Sequence, residues 1–346
     1  MSASAAVTTG GFIGGLPSSP SLTVSTIAAN GDQNPRDVAK VHGGFLVTDL
    51  YTANQPPVLS TSIEKVFLNG STKTWYTMPK GSWLTGPIGV ESNGDVVAEI
   101  GSRPRGNVGG QTTISLLVLN PNGRPIVDLK NQKLTPGVSS LAVGQHGGTS
   151  QIYLSDSNSG TITRLDVRIQ HGVPRIVKAT LIASGYPTSF IYPPVPPPSS
   201  APVLYSGFAG SSQFGLAFDP KTDVLYVASM ADNAIYAIPQ AGSRTAAVDK
   251  GTVVVKNDGK LRLPSNLTIA PNGDLLVTNN DGIAANPNLP SPLYEYTPAG
   301  AYVNSISLDP NFGAASGLVV KPVGNQYWLA TVDQTTSTLD IREVPK

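Results

Sequence analysis

The chain has 346 residues, with 23 basic and 22 acidic side chains and a formal net charge of +1. That balance excludes a basic face for neutralising nucleic-acid phosphates, the absence of cysteine excludes disulfides and thiolate chemistry, and no apolar run approaches the roughly 18 residues of a membrane span. Charged residues are only 13%, while Gly (36) and Pro (30) are abundant, a profile of many turns and few solvated helices.

The chain opens on residues 1–20, which read as a flexible tail. GGFIGG (residues 10–15) leads into no helix and is no phosphate loop. Residues 22–27, LTVSTI, form one strand without a local partner. Six units of similar design follow. Their opening strands begin at Val38, Ile88, Leu141, Leu216, Leu267 and Leu318, with spacings of 50, 53, 75, 51 and 51. The one long spacing carries the Pro-rich insert 185–212, with Tyr186, Phe190, Tyr192, Tyr205 and Phe208 among the prolines.

Within each unit the order is the same. A small apolar strand (VAKV, IGVE, LAVG, LAFD, LTIA, LVVK) meets a turn such as SNGD or PNGD. A second strand follows (FLVTD, DVVAE, IYLSD, LYVAS, LLVTN, YWLAT), then a polar loop and an alternating third strand (IEKVF, ISLLVL, ITRLDV, AIYAI, LYEY, LDIRE). Fourth strands are expected near Trp75, Ile126, Leu181, Val253 and Val303. The sixth unit stops after its third strand, so residues 22–27 are expected to complete it. The fold class is therefore all-β: one six-bladed propeller of four-stranded antiparallel blades over residues 21–346, closed by an N-terminal strand. Amphipathic helices between strands, which an α/β fold would need, are absent from the pattern.

The units resemble NHL-type repeats. FGLAFDPKTDVLYVASMADNAIYAI (residues 214–238) and LAVGQHGGTSQIYLSDSNSGTITRL (residues 141–165) carry that resemblance, which implies packing rather than a function. In a propeller the ends of the second strands, the loops after them and the lead-ins to the first strands share one face. That places Asp49, Glu99, Asp156, Asp232, Asn233, Asn266, Asn279, Asn280, Asp281 and Asp333 around a polar funnel, together with the strand lead-ins Arg36, Asp37, Ser139, Ser140, Ser265 and Ser316. Each Asp or Asn there could instead cap its own turn. Long loops at 101–113, with Arg103 and Arg105, and at 280–292 would rise over the same face. The insert is read equally as a clamp or as a recognition surface.

PSNLTIAPNGDLLVTNN (residues 264–280) also resembles a stretch of the gluconolactonase/regucalcin-type propellers. That resemblance implies a divalent metal, Ca²⁺, in the central channel and a lactonase-like hydrolase, with Asn266 as the matching ligand. Glu99, Asn279 and Asp281 could supply further oxygens. The Glu-Gly-Pro of that family is Pro35–Arg36–Asp37 in this chain, and its catalytic Asp has no clear counterpart. Only three histidines occur, His42, His146 and His171, too scattered for a zinc site, and no G-x-S-x-G elbow is present. The primary expectation is an exported binding or structural module acting through the funnel face on a protein, glycan or small-molecule ligand. The alternative is the calcium-dependent lactonase-like hydrolase. The Ser/Thr/Asn/Gly-rich, charge-poor composition points to a secreted or periplasmic protein whose signal peptide has been removed, rather than a cytosolic one.

Overall fold

The second strand of each unit is a continuous apolar run because both of its faces are buried. In the computed structural model, which describes residues 10–52, 59–102, 113–130, 134, 137–191, 209–211, 214–280, 286 and 288–346, successive residues of these strands alternate between two neighbouring blades. Phe45 and Val47 pack toward blade 6, whereas Leu46 packs toward blade 2. The hydrophobic core is accordingly six radial slabs, one between each adjacent pair of blades.

Blade 1 comprises Asp32–Val41, Gly44–Thr52, Ser62–Phe67 and Thr72–Thr77. Blade 2 comprises Ser82–Val90, Val96–Ser102, Thr113–Leu119 and Pro125–Leu129. Blade 3 comprises Val138–His146, Thr149–Asp156, Thr161–Gln170 and Val173–Ser184. Blade 4 comprises Phe214–Asp219, Val224–Ser229, Ala234–Pro239 and Thr252–Lys256. Blade 5 comprises Pro264–Ile269, Leu275–Asn279, Pro292–Tyr296 and Tyr302–Ser307. Blade 6 comprises Ala315–Val323, Gln326–Asp333 and Thr338–Pro345, and its fourth strand is Leu22–Ser25. That strand pairs antiparallel from Leu22 opposite Ile341 to Ser25 opposite Thr338, so the chain's beginning closes the ring.

Two segments differ from a free tail and a bare insert. Within the expected tail, Phe12 and Ile13 are buried between blades 5 and 6. Their backbone N–H groups donate to the two carboxylate oxygens of Glu295, at 2.6 and 2.7 Å, as the chain enters a short 3₁₀ turn, Ile13–Gly15. In the insert, Ser189–Ile191 and Ala209–Ser211 form a two-stranded ribbon. Tyr186 is buried against Phe214 and Tyr236 and donates its hydroxyl to the Lys250 carbonyl. Tyr186 thus clamps the base of the insert. Tyr192, Tyr205 and Phe208 lie outside the described residues.

A polar clasp joins the slabs at every second interface. Thr48 in blade 1, Ser155 in blade 3 and Thr278 in blade 5 each donate a side-chain hydroxyl to an inner-strand carbonyl of the next blade: Gly86, Phe214 and Ser316. The equivalent positions of blades 2, 4 and 6 are Glu99, Ala228 and Val332, none of which has a hydroxyl. Each clasp is a buried neutral hydrogen bond worth about 1 kcal/mol. Thr48→Val, Ser155→Ala and Thr278→Val are expected to cost about 1–2 kcal/mol each in denaturant unfolding. The three sit on separate blades, so the triple variant should lose close to the sum.

Candidate functional site

The side chains of a strand stand perpendicular to its sheet. In a radial blade they therefore point sideways into the slabs, and the central channel meets only the edges of the inner strands. A side chain reaches the channel where an inner strand departs from regular pairing. Such departures occur at one level in every blade but the fourth, where the register shifts between Pro35 and Asp37, Leu84 and Ile88, Val138 and Ser140, Pro264 and Asn266, and Ala315 and Leu318; in blades 1, 3 and 5 the residue re-aimed there is polar. A bulge of this kind re-aims a side chain. Asp37, Ser140 and Asn266 all line the channel mouth as a result.

The even blades carry Pro87, Gly215 and Gly317 at this level. The two glycines are required by space. A Cβ on Gly215 would lie 2.7 Å from the Asn266 Cα, and one on Gly317 would lie 2.7 Å from the Asp37 Cα. Polar and small positions thus alternate around the ring.

Below the mouth lies a channel of ≈ 520 Å³, walled by inner-strand residues such as Leu141, Leu216 and Thr268, with Lys40 and Glu91 on its lining. At the mouth itself is a niche of ≈ 20 Å³, bordered by Arg36, Ser139, Ser265 and Ser316 as well as by Asp37, Ser140 and Asn266. That is room for one water molecule. The three polar residues border both spaces.

Asp37 accepts hydrogen bonds from the backbone N–H of Val38 (2.9 Å) and of Ile88 in the next blade (3.2 Å). Removal from bulk water pushes its pKa up to about 6, against the opposing pull of those two donors and of Arg36. The Asn266 side-chain oxygen accepts from the Leu267 N–H at 3.0 Å. This orients its amide NH₂ as an available donor.

Of the described residues expected at the rim, the lead-ins Asp37, Ser140 and Asn266 line the channel, and none from the second-strand ends or the loops after them does. The latter point into the slabs or serve their own turns. Asp156 accepts from the Asn158 N–H and the Ser159 hydroxyl. Asp333 accepts from the Thr335 and Thr336 backbone N–H groups. Asp232 pairs with Lys250 at 3.3 Å and accepts from Ser229. Asn233 accepts from the Leu263 N–H, and Asn279 donates to the Lys260 carbonyl. The Asn280 backbone N–H donates to the Leu263 carbonyl. Glu99 lies in the slab between blades 2 and 3, where burial, with the nearby Asp156 charge adding to it, lifts its pKa to about 8. Asp49 is fully buried with neither carboxylate oxygen partnered, and burial, then Asp32 and Glu64, lifts its pKa to about 8. Arg103, Arg105 and Asp281 lie outside the described residues.

The expected ligand set Glu99, Asn266, Asn279 and Asp281 is therefore not assembled by the described residues, because Glu99 and Asn279 face slabs rather than the channel. Among the described residues no group of three or more His, Asp or Glu side chains is placed to hold a metal ion. Among the described residues the mouth offers a single carboxylate, Asp37, beside the Asn266 amide, serine hydroxyls and the Arg36 cation, a poor match to the carboxylate-rich shell of six to eight oxygens that Ca²⁺ takes. Asp37, a strand lead-in that the sequence places on the funnel face, stands outside the ligand set drawn from the motif. Its signal was the position just before each unit's first apolar residue, which reads Asp, Pro, Ser, Gly, Asn, Gly around the ring.

No family model matches the chain, and no curated protein matches it either. The NHL-type likeness thus remains one of repeat pattern. Solved structures match over nearly the whole chain. A gluconolactonase from Xanthomonas campestris superposes with a TM-score of 0.57 at 13% identity, covering 95% of this chain and 97% of that one. A second protein, assigned as a gluconolactonase, gives 0.54 at 13% identity over 96% and 95%. An oxidoreductase from a Thermus species, assigned as a glucose dehydrogenase, gives 0.52 at 17% identity over 95% and 100%. At such identities the likeness is one of fold: gluconolactonase-like six-bladed propellers.

Asp49 and Glu99 make stability depend on pH. Both titrate near 8 when folded but near 4 when unfolded. Their contribution is fully present below about pH 4 and is lost as pH rises through about 8. The melting temperature is expected to fall between about pH 5 and about pH 8.5. In an Asp49→Asn/Glu99→Gln double variant the fall should flatten, with Tm at about pH 8 higher by roughly 2–4 °C, about 1–2 kcal/mol. An unchanged slope in calorimetry would contradict the assignment.

Proposed function

We propose that the protein hydrolyses a cyclic ester, with the ring seated in the central channel and Asp37 acting as general base at its mouth. The observation that carries this reading is the position of Asp37. Its carboxylate borders both a water-sized niche and a ligand-sized channel, and burial holds its pKa at about 6. A base with that pKa is ionised at neutral pH yet still accepts a proton, as general-base catalysis requires.

The steps use the chain's own residues. Water in the niche loses a proton to Asp37 as its oxygen attacks the ester carbonyl carbon. The developing oxyanion receives hydrogen bonds from the Asn266 amide and the Ser140 hydroxyl. Collapse expels the ring oxygen, which takes the proton back from Asp37, giving a hydroxy acid. No step is routed through a metal, because the described residues at the mouth bring only one carboxylate, with Arg36 beside it. The gluconolactonases among the structural neighbours support the reaction class. A binding module on the funnel rim is less well supported, since Asp156, Asp232, Asn233 and Asp333 are occupied by their own loops and neighbours.

The test is a panel of γ- and δ-lactones assayed by acid release. Asp37→Asn is expected to lower kcat/KM at least ~100-fold, with folding unchanged by circular dichroism. Activity of the unmodified chain should rise with pH through about 6 and then level off, since the base works deprotonated. Chelation of divalent cations should leave both turnover and Tm unchanged. Turnover by Asp37→Asn within about threefold of the parent would refute the role of Asp37.

A further inference from the structure

We propose that the outer edge of blade 3 receives an extended, acidic segment of a partner protein as an added β-strand. The hairpin Thr161–Gln170/Val173–Ser184 is the observation from which this starts. Its strands have 10 and 12 residues, whereas the outer strands of blades 1, 2, 4 and 5 have 5 or 6. The hairpin thus projects beyond its blade. Its outer strand pairs outward only at Ala183 and Ser184, with Val248–Asp249. Residues 173–182 present an edge with no strand partner among the described residues.

The chemistry of that edge is specific. Ile169, Val177 and Leu181 lie on this hairpin, three of the seven large hydrophobics that are exposed among the described residues. The pairing register shifts between Asp166 and Val167, leaving Val177 as the extra residue of the outer strand, and Val177 is exposed. A groove of ≈ 520 Å³ runs between this strand and the outer strand of blade 2, floored by Val127, Leu129, Pro174 and Ile176. Arg175 lines it with Asp128 and Lys130, which pair with each other at 3.5 Å, and Arg168 and Lys178 lie on the same hairpin. Arg168 stands directly opposite Arg175 across the hairpin. Neither they nor Lys178 has an ion pair among the described residues, because the nearby Asp166 is held by Arg164 at 2.8 Å. Like charges directly opposite on a sheet destabilise it. An anionic partner would relieve that cost.

Cations on an edge can also guard against strand addition. This edge has such features in Pro174, Lys178 and the bulge at Val177, yet it is long and carries two exposed aliphatics, Val177 and Leu181. The unpaired backbone supplies the ladder, the groove accepts apolar side chains on one face of the incoming strand, and the arginines select acidic ones. The site is remote from the channel, and its failure would leave the proposed hydrolase reading untouched.

The experiment uses the full chain and two fluorescein-labelled decapeptides, (Glu-Val)₅ and (Lys-Val)₅, each about the length of the free edge. Fluorescence anisotropy is expected to show saturable binding of the acidic peptide, weakened by salt, and none of the basic one. Amide hydrogen exchange should slow within residues 173–182 on binding. Arg168→Glu/Arg175→Glu should weaken binding at least ~10-fold while leaving Tm within a few degrees, and Arg168→Gln/Arg175→Gln should fall between. No saturable binding up to ~1 mM, a Kd weaker than a specific site of this size should show, overturns the proposal. So does equal binding of both peptides, or protection elsewhere in the chain. Self-association of the Gln variant without peptide binding by the parent would make the arginines guards. Binding to phosphatidylserine vesicles but not to peptide would make the patch a membrane contact. Either result overturns the proposal.

Discussion

Every blade of this ring is buried on both faces by its neighbours, and that single condition determines where chemistry can sit. Strand side chains are committed sideways, to six apolar slabs. The channel is left with backbone edges and whatever irregularity turns a side chain inward. Irregular pairing at one level in five of the six blades provides it; in blades 1, 3 and 5 it carries a polar side chain, and glycine in blades 4 and 6 makes room for the neighbouring strand. The channel mouth is in this sense a product of defects in an otherwise regular ladder, not of the ladder itself.

The same condition explains the behaviour of the acidic strand ends. A carboxylate at the end of a second strand either turns back to its own loop, as Asp156 and Asp333 do, or is drawn into a slab, as Asp49 and Glu99 are. In the first case it rigidifies the loop. In the second it is held neutral by burial up to about pH 8. Neither leaves it free for a ligand. The N-terminal segment obeys the same logic with opposite effect. Glu295 is fully buried, yet it is satisfied by the backbone donors of Phe12 and Ile13, so a piece of chain outside the repeats becomes part of the slab between blades 5 and 6.

Much of the architecture was legible in residue order because repeat spacing, turn chemistry and apolar runs all report the same unit. The outer strands near Trp75, Ile126, Leu181, Val253 and Val303 and the closing strand at Leu22 were placed by that consistency. The site was less legible. A strand-end Asp looks the same in sequence whether it faces the channel, a slab or its own loop. Asp49, Asp156 and Asp333 differ only through register and through the direction in which a pleat turns. Asn266 was singled out by a motif, whereas Asp37 was placed on the funnel face only as one of many strand lead-ins, because Pro35–Arg36–Asp37 departs from the motif and a bulge is invisible in one sequence. The burial of Phe12 and Ile13 was missed for a related reason: their partner, Glu295, is 282 residues away from Ile13.

The pairing of Leu22 with Ile341 also sets a schedule for synthesis. At ribosomal rates of roughly 5–20 residues per second, the first strand leaves the ribosome about 15–60 s before its partner exists. For that interval an apolar segment and the open side of blade 1 have nothing to pair with. Closing a loop of this length is entropically unfavourable and slow. The seconds in which blade 6 emerges therefore decide whether the ring locks on itself or on another nascent chain.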